Sequence, residues 1–246
     1  MDKALYTIMT GAGATLRAQA TVANNLANVN TVGFKAERVG TEPFQVPGQG
    51  LATRIDAVQR APGFDASPGP VITTGNELDI ALHPGVWLAV QARDGTQAYT
   101  RSGELRLTAN GQLTTASGLP VLGDNGPVAI PPNAKLDIAG DGTISIQPLG
   151  QGPETVANVG RLGLFRAEDP NTLKRREDGL MQSDPPLPPA AGTALTVGAL
   201  EGSNVNSAQT LVEMIALSRQ FEMQVKLIHS GDQLAQSSTS LLRTGR

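Results

Sequence analysis

No cysteine occurs in the 246 residues, and histidine occurs only twice, at His83 and His229. Thiol catalysis, disulfide frameworks, haem motifs and zinc sites built on these side chains therefore have no raw material. Charge is scarce as well: 17% of residues are charged, and 19 Lys+Arg against 22 Asp+Glu leave a net −3. Without clustered base, a nucleic-acid partner is not expected. Long hydrophobic runs are missing too. The longest strongly apolar stretch, Val86 to Val90, falls far short of the roughly 20 residues of a membrane span. Thr7, Thr10, Thr15, Arg17 and Gln19 break up the first segment, so it lacks the apolar core of a secretory signal. The expectation is a soluble chain, held in the cytoplasm or exported by a route that reads another signal.

What is present is turn chemistry framed by two proline-free ends. Glycine numbers 28 and proline 17, both above average use. From Asp2 to Ala27, small or apolar residues at Leu5, Met9, Ala12, Leu16, Ala23 and Leu26 follow a 4-3-4 rhythm broken at Gln19, which predicts an amphipathic helix with a narrow seam. Asn28 to Gly33 ends it, because Asn and Gly accept the left-handed conformation that closes helices. Residues 36–77, with scattered prolines, read as an extended arm. Residues 78–200 then carry Asp94-Gly95, Asn110-Gly111, Asn125-Gly126 and Asp141-Gly142 at intervals of 16, 15 and 16 residues, the punctuation of β-hairpins. Leu105 and Leu107 should face Leu113, and Leu136 and Ile138 should face Ile144 and Ile146. The fold class is therefore mainly β, an antiparallel β domain flanked by N- and C-terminal helices. The last strand is expected over Ala194 to Leu200, after the proline cluster 185–189.

The second helix, Ser207 to about Arg243, shows a coiled-coil-like spacing of 3 and 4 through Leu211, Met214, Ser218, Phe221, Val225, Ile228, Asp232, Ala235, Thr239 and Leu242. Asn206 or Ser207 can cap it. At about 1.5 Å per residue it would run roughly 55 Å, more than a domain of this size needs to cover its own sheet. One of its faces should seek another molecule. Each terminal seam is narrow, and helix stability comes mainly from tertiary packing, so both helices are expected to be largely disordered in the free chain and to order on assembly.

A search for reaction chemistry finds none. Gly11-Ala12-Gly13 starts like a dinucleotide fingerprint, but Leu16 stands where the third glycine belongs and no strand precedes it. No serine lies in a nucleophile elbow. His229 sits beside the helix seam and reads as a partly exposed interface residue, while His83 decorates a turn. Asp141-Gly142 and Asp124-Asn125-Gly126 lack the oxygen spacing of a calcium loop and are explained by turns. No catalytic, cofactor or metal residue is assigned, and no cofactor or small-molecule substrate is expected. A β-domain adhesin or binding module is the alternative, although Trp87 is the only tryptophan available for sugar stacking.

The unusual stretch is Ala23-Asn24-Asn25-Leu26-Ala27-Asn28-Val29-Asn30-Thr31-Val32-Gly33-Phe34-Lys35. Asparagine competes for backbone hydrogen bonds within a helix, so four of them suggest amides that pair across a packed interface. This run resembles the N-terminal signature of the flagellar rod and hook proteins of bacteria. Further stretches similar to that family are Gly75 to Leu82, Asp94-Gly95 with Tyr99-Thr100-Arg101-Ser102-Gly103, Asn110 to Leu113, Asp141 to Ile144, and Leu200-Glu201-Gly202-Ser203-Asn204-Val205. Residues 39–67 and 147–189 carry little resemblance. Proximal-rod members are matched best, and distal-rod members are the alternative. One departure is Val86, where the family usually has Gly before the aromatic residue that opens the first strand; Gly85 can supply the turn one residue earlier.

The resemblance implies a structural protein with no enzymatic activity, whose residues 1–35 and 201–246 pair as the inner domain of a tubular rod. It implies export through the flagellar type III apparatus without a cleaved signal and assembly in the periplasm, for motility. The implied partners are its own copies and other rod proteins (FlgB, FlgC and FlgG). The expected assembly interface comprises Leu5, Met9, Leu16, Asn24, Asn25, Leu26, Asn28 and Phe34 from the N-terminal region. Asn204, Leu211, Met214, Phe221, Val225, Ile228 and Leu242 complete it from the C-terminal region.

Overall fold

The computed structural model describes residues 2–38, 40–45, 55–59, 63–148 and 156–244. Two compact units emerge. One joins the chain ends, 1–28 and 205–246, with 37–63; the other comprises 29–36 and 64–204.

The first unit is built on helix α1, Asp2–Ala27, and helix α2, Ser207–Thr244. They pack on each other, and α1 also packs on the strand Ile55–Gln59. That strand forms a hairpin with Thr41–Gln45, in register from Thr41↔Gln59 to Gln45↔Ile55. The 36–77 stretch thus carries paired strands within its extended course, and the hairpin's tip lies outside the described residues. Asn206 is the N-cap of α2, its Oδ1 accepting from the Gln209 amide at 3.1 Å. Its carbonyl accepts the Thr210 amide at 2.9 Å.

The second unit is antiparallel β. Its largest sheet has five strands, in the spatial order Leu164–Arg166, Val86–Gln91, Gln97–Thr100, Met181–Ser183, Leu173–Arg175. A three-stranded sheet joins Asn133–Ile138, Thr143–Pro148 and Ala157–Arg161. The four turn dipeptides all sit at chain reversals between paired strands. Leu107 pairs Leu113, Leu136 pairs Ile146 and Ile138 pairs Ile144. Leu105 instead opposes Thr115.

Alternation along Val86–Gln91 explains its unbroken apolar run, because successive side chains leave opposite faces of a strand. Val86, Leu88 and Val90 enter the larger core with Ile80, Leu113, Ile144 and Leu195. Trp87 and Ala89 enter a smaller core with Tyr99, Leu173, Met181 and Leu187. There Phe64 meets Trp87 edge-on at 5.9 Å between ring centroids, and Tyr99 meets Phe165 at 5.5 Å. The final expected strand is two, Leu195–Val197 and Ala199–Glu201, split at Gly198. They pair with Ile80–Leu82 and Val71–Thr73 respectively. Gly85 does make the turn before Val86: its φ is 76°, and the Val86 amide returns to the His83 carbonyl at 3.0 Å.

Candidate functional site

The helix faces are the first candidate surface. On α2, Met214, Phe221, Val225 and Ile228 are half-buried, as their seam spacing predicts, while Leu211 is exposed. Yet no apolar side chain described on α2 is fully buried, although the helix is 38 residues long. Val212, Ile215, Met223, Leu227 and Leu234 are 55–68% exposed. At 3.6 residues per turn they gather on the face roughly opposite the seam. Thus α2 has two apolar faces, one against α1 and one open.

On α1 the buried face is Ala12, Thr15, Val22 and Asn25, which shares Ala12 with the expected seam but centres about a quarter turn from it. Met9 and Leu16 point outward, as does Tyr6; Leu26 is half-buried. Small side chains explain the rotation. Gly11 and Ala12 permit close approach, with the Gln224 amide nitrogen 3.6 Å from where a Gly11 Cβ would stand, and Thr15 returns its hydroxyl to the Gly11 carbonyl. The fit is imperfect, since Gln224 Oε1 is shut from solvent without a hydrogen-bond donor. The side chains of Leu5 and Leu242 lie outside the described residues.

The asparagines bond within the chain. Asn25 accepts from the Glu37 amide at 2.8 Å and donates to the Glu37 carbonyl at 2.9 Å. Asn28 donates to the Asn24 carbonyl at 2.9 Å, while Asn24 is exposed. Asn204 accepts from the Ala36 amide at 2.8 Å and donates to the carbonyls of Asp65 and Ser67. Phe34, half-buried, lies under the Arg175 guanidinium at 4.7 Å.

A buried charge cluster fixes the two segments that lead into the terminal helices. Glu201, Lys35 and Arg101 are at most 4% exposed. Glu201 Oε1 accepts from Lys35 Nζ at 2.7 Å and from the Gly69 amide at 3.0 Å. Glu201 Oε2 accepts from Arg101 Nε at 2.6 Å, and Nη2 joins the ion pair. Arg101 spends its remaining donors on the carbonyls of Leu82, His83 and Val86, and stacks over Trp87 at 5.7 Å. Gly33 lies close by, its amide bonding the Glu201 carbonyl at 2.7 Å. Its φ is 69°, and a Cβ added there would stand only 2.3 Å from the Arg101 carbonyl, so no other residue fits. Burial alone would raise the Glu201 carboxyl; the Arg101 and Lys35 charges and the Gly69 amide outweigh it and hold it below the usual carboxylate range. Burial, reinforced by Arg101, lowers Lys35 despite Glu201.

Sequence reasoning missed this cluster. A signal was available: in a chain poor in charge, Lys35, Arg101 and Glu201 each stand inside one of the family-like stretches. Elsewhere, carboxylates serve turns. Asp141 accepts from the Thr143 amide and hydroxyl, and Asp94 from Thr96 and Arg176. His83 meets the Thr196 hydroxyl at 3.2 Å, and His229 is exposed. Among the described residues no helix is long and apolar enough to cross a membrane. Trp87 is buried and so is unavailable for sugar stacking.

An antiparallel β domain carrying terminal helices is the architecture of the hook and rod type. Residues 5–35 match the profile described as flagella basal body rod protein, 85–146 the flagellar hook protein FlgE/F/G D1 domain, and 196–241 the flagellar basal body rod FlgEFG protein C-terminal region. The chain belongs to the flagellar basal-body rod protein family. It is 42% identical over 250 residues to the flagellar basal-body rod protein FlgF of Salmonella typhimurium (strain LT2), covering 98% of this chain and 99% of that one. FlgF of Escherichia coli (strain K12) gives the same identity and coverage. The rod protein FlgG of Buchnera aphidicola is 34% identical over 89% of this chain and 92% of its own.

Proposed function

We propose that this chain is a structural subunit of the proximal flagellar rod and polymerises through its terminal helices into a tubular shaft that transmits rotation. The observation that carries this reading is the open apolar face of α2, on a helix with no fully buried apolar side chain among those described. The α1–α2 contact alone leaves apolar surface in water, and the enclosed Gln224 oxygen costs about 1–3 kcal/mol. Burial against neighbouring subunits removes the first cost. A contact between unlike patches on successive copies continues as an open helix.

In this reading Met9 and Leu16 of α1 and Leu211 of α2 belong to the intersubunit surface with the open α2 face, while Phe221, Val225 and Ile228 form the seam within the subunit. Leu26 and Phe34 support it from the signature. Neighbours are further copies and the other rod proteins, FlgB, FlgC and FlgG among them. The chain reaches the periplasm through the flagellar type III apparatus without a cleaved signal, and it performs no catalysis. The test replaces Met223 and Leu227 together by Asp. Rod incorporation should be lost while the Trp87 signal of the β unit is kept; normal incorporation would reject the interface.

A further inference from the structure

We infer that Lys35 is a releasable latch, holding segment 31–36 on the β unit without being needed for that unit's stability, whereas Glu201 is a keystone the unit cannot lose. The inference stands independently of the proposed rod role. It rests on which hydrogen-bonding groups are left without partners when each side chain is removed.

Three buried charges share the cluster, two cations and one anion. Taking away Lys35 leaves a neutral pair, Glu201 with Arg101. Each acceptor that Lys35 served keeps another donor: Glu201 Oε1 keeps the Gly69 amide, and the Ser67 carbonyl, 2.7 Å from Lys35 Nζ, keeps Asn204 Nδ2 at 3.1 Å. Nothing is orphaned. Taking away the Glu201 carboxylate does the reverse. Two like charges remain enclosed, Arg101 Nε and the Gly69 amide lose their acceptor, and Lys35 keeps only Ser67. Removing one member of a buried ion cluster is strongly destabilising when it leaves a charge unpaired; without Lys35 none is left so, because Glu201 and Arg101 still pair. The lowered pKa of Lys35 agrees, since it means the fold disfavours this charge relative to water.

Lys35 is the only side-chain charge that segment 31–36 contributes. Beside it, the segment is held by the Phe34 ring under Arg175 and by backbone bonds, among them Gly33 to Glu201, the Phe34 carbonyl to Asn204, the Lys35 carbonyl to Arg175, and Ala36 to Asn204 and Asp65. By chain connection this segment leads into α1, whereas Glu201 lies on the segment that leads into α2. Opening the latch therefore loosens the N-terminal attachment and leaves the C-terminal one in place.

The test uses the full chain as Lys35→Met, Lys35→Arg and Glu201→Gln, with hydrogen exchange of the Gly33 and Ala36 amides and thermal unfolding followed at Trp87. Loss of a charged hydrogen bond should speed exchange at these amides by about tenfold or more in Lys35→Met, with the Trp87 transition unchanged, and Lys35→Arg should restore most of the protection. Glu201→Gln should lower the transition and expose both segments. Unchanged exchange in Lys35→Met would overturn the inference, as would a Lys35→Met chain that melts as early as Glu201→Gln or fails to fold.

Discussion

Glu201 is where a one-atom change should tell most. Glu201→Gln leaves Arg101 and Lys35 enclosed without an anion and should destabilise the β unit by about 3–5 kcal/mol at neutral pH, measured by denaturant unfolding. The acid limb carries a second signature. Because the folded carboxyl is held below its unfolded value, its contribution is complete above the unfolded pKa of about 4.3. It is lost as pH falls through the folded value, where the unfolded state binds the extra proton. The Gln variant should show a flatter stability profile over that window; an unchanged profile would mean Glu201 is not the group that titrates. Gly33→Ala should destabilise by about 2–4 kcal/mol, from left-handed strain and collision with the Arg101 backbone. At this scale the sequence placed Lys35, Arg101 and Glu201 within family-like stretches but marked neither their role nor their pairing. Lys35 and Glu201 lie 166 positions apart and Arg101 lies 100 from Glu201, and no periodicity reports a contact made by topology alone. Asn204 was legible as a polar residue near a helix start, but its bonds to Ala36, Asp65 and Ser67 depend on that same topology.

Helix α2 shows how periodicity reports one face and conceals another. Its 3-4 spacing marks the seam of Met214, Phe221, Val225 and Ile228, and the helix runs within a residue of the expected span. The opposite stripe reads as ordinary surface until the seam is known to be occupied. On α1 the seam read through Met9, Ala12, Leu16 and Ala23 meets the packed face at Ala12 alone, because Thr15 and Asn25 pack there as polar residues that an apolar spacing overlooks. With so little fully buried apolar surface, the helix pair gains little from folding alone, and order is expected to come with assembly. Circular dichroism and hydrogen exchange on the dilute chain should therefore find α1 and α2 weakly protected while Val86–Gln91 is strongly protected. Strongly protected helices in a dilute monomer would refute folding on assembly. Within the seam, Val225→Ala should lower helix content in the free chain further, without altering the Trp87 environment.

The β unit as a whole was legible through its turns. Asp94-Gly95, Asn110-Gly111 and Asp141-Gly142 fix neighbouring hairpins, so local registers followed from pattern. The order of the five-stranded sheet did not, since it inserts Leu164–Arg166 and Met181–Ser183 beside strands far earlier in the chain. Nor did the membership of 29–36 in this unit, which backbone bonds to Glu201, Arg175 and Asn204 secure. What unites the molecule functionally is the claim that α2 keeps an apolar face for its neighbours. The chain's lack of cysteine makes a direct measurement available: maleimide labelling of Leu227→Cys, in the free chain and in isolated basal bodies. Rapid labelling is expected of the free chain, with protection in the intact rod and recovery once the rod is dissolved. Equal labelling of the free and assembled protein would contradict that claim.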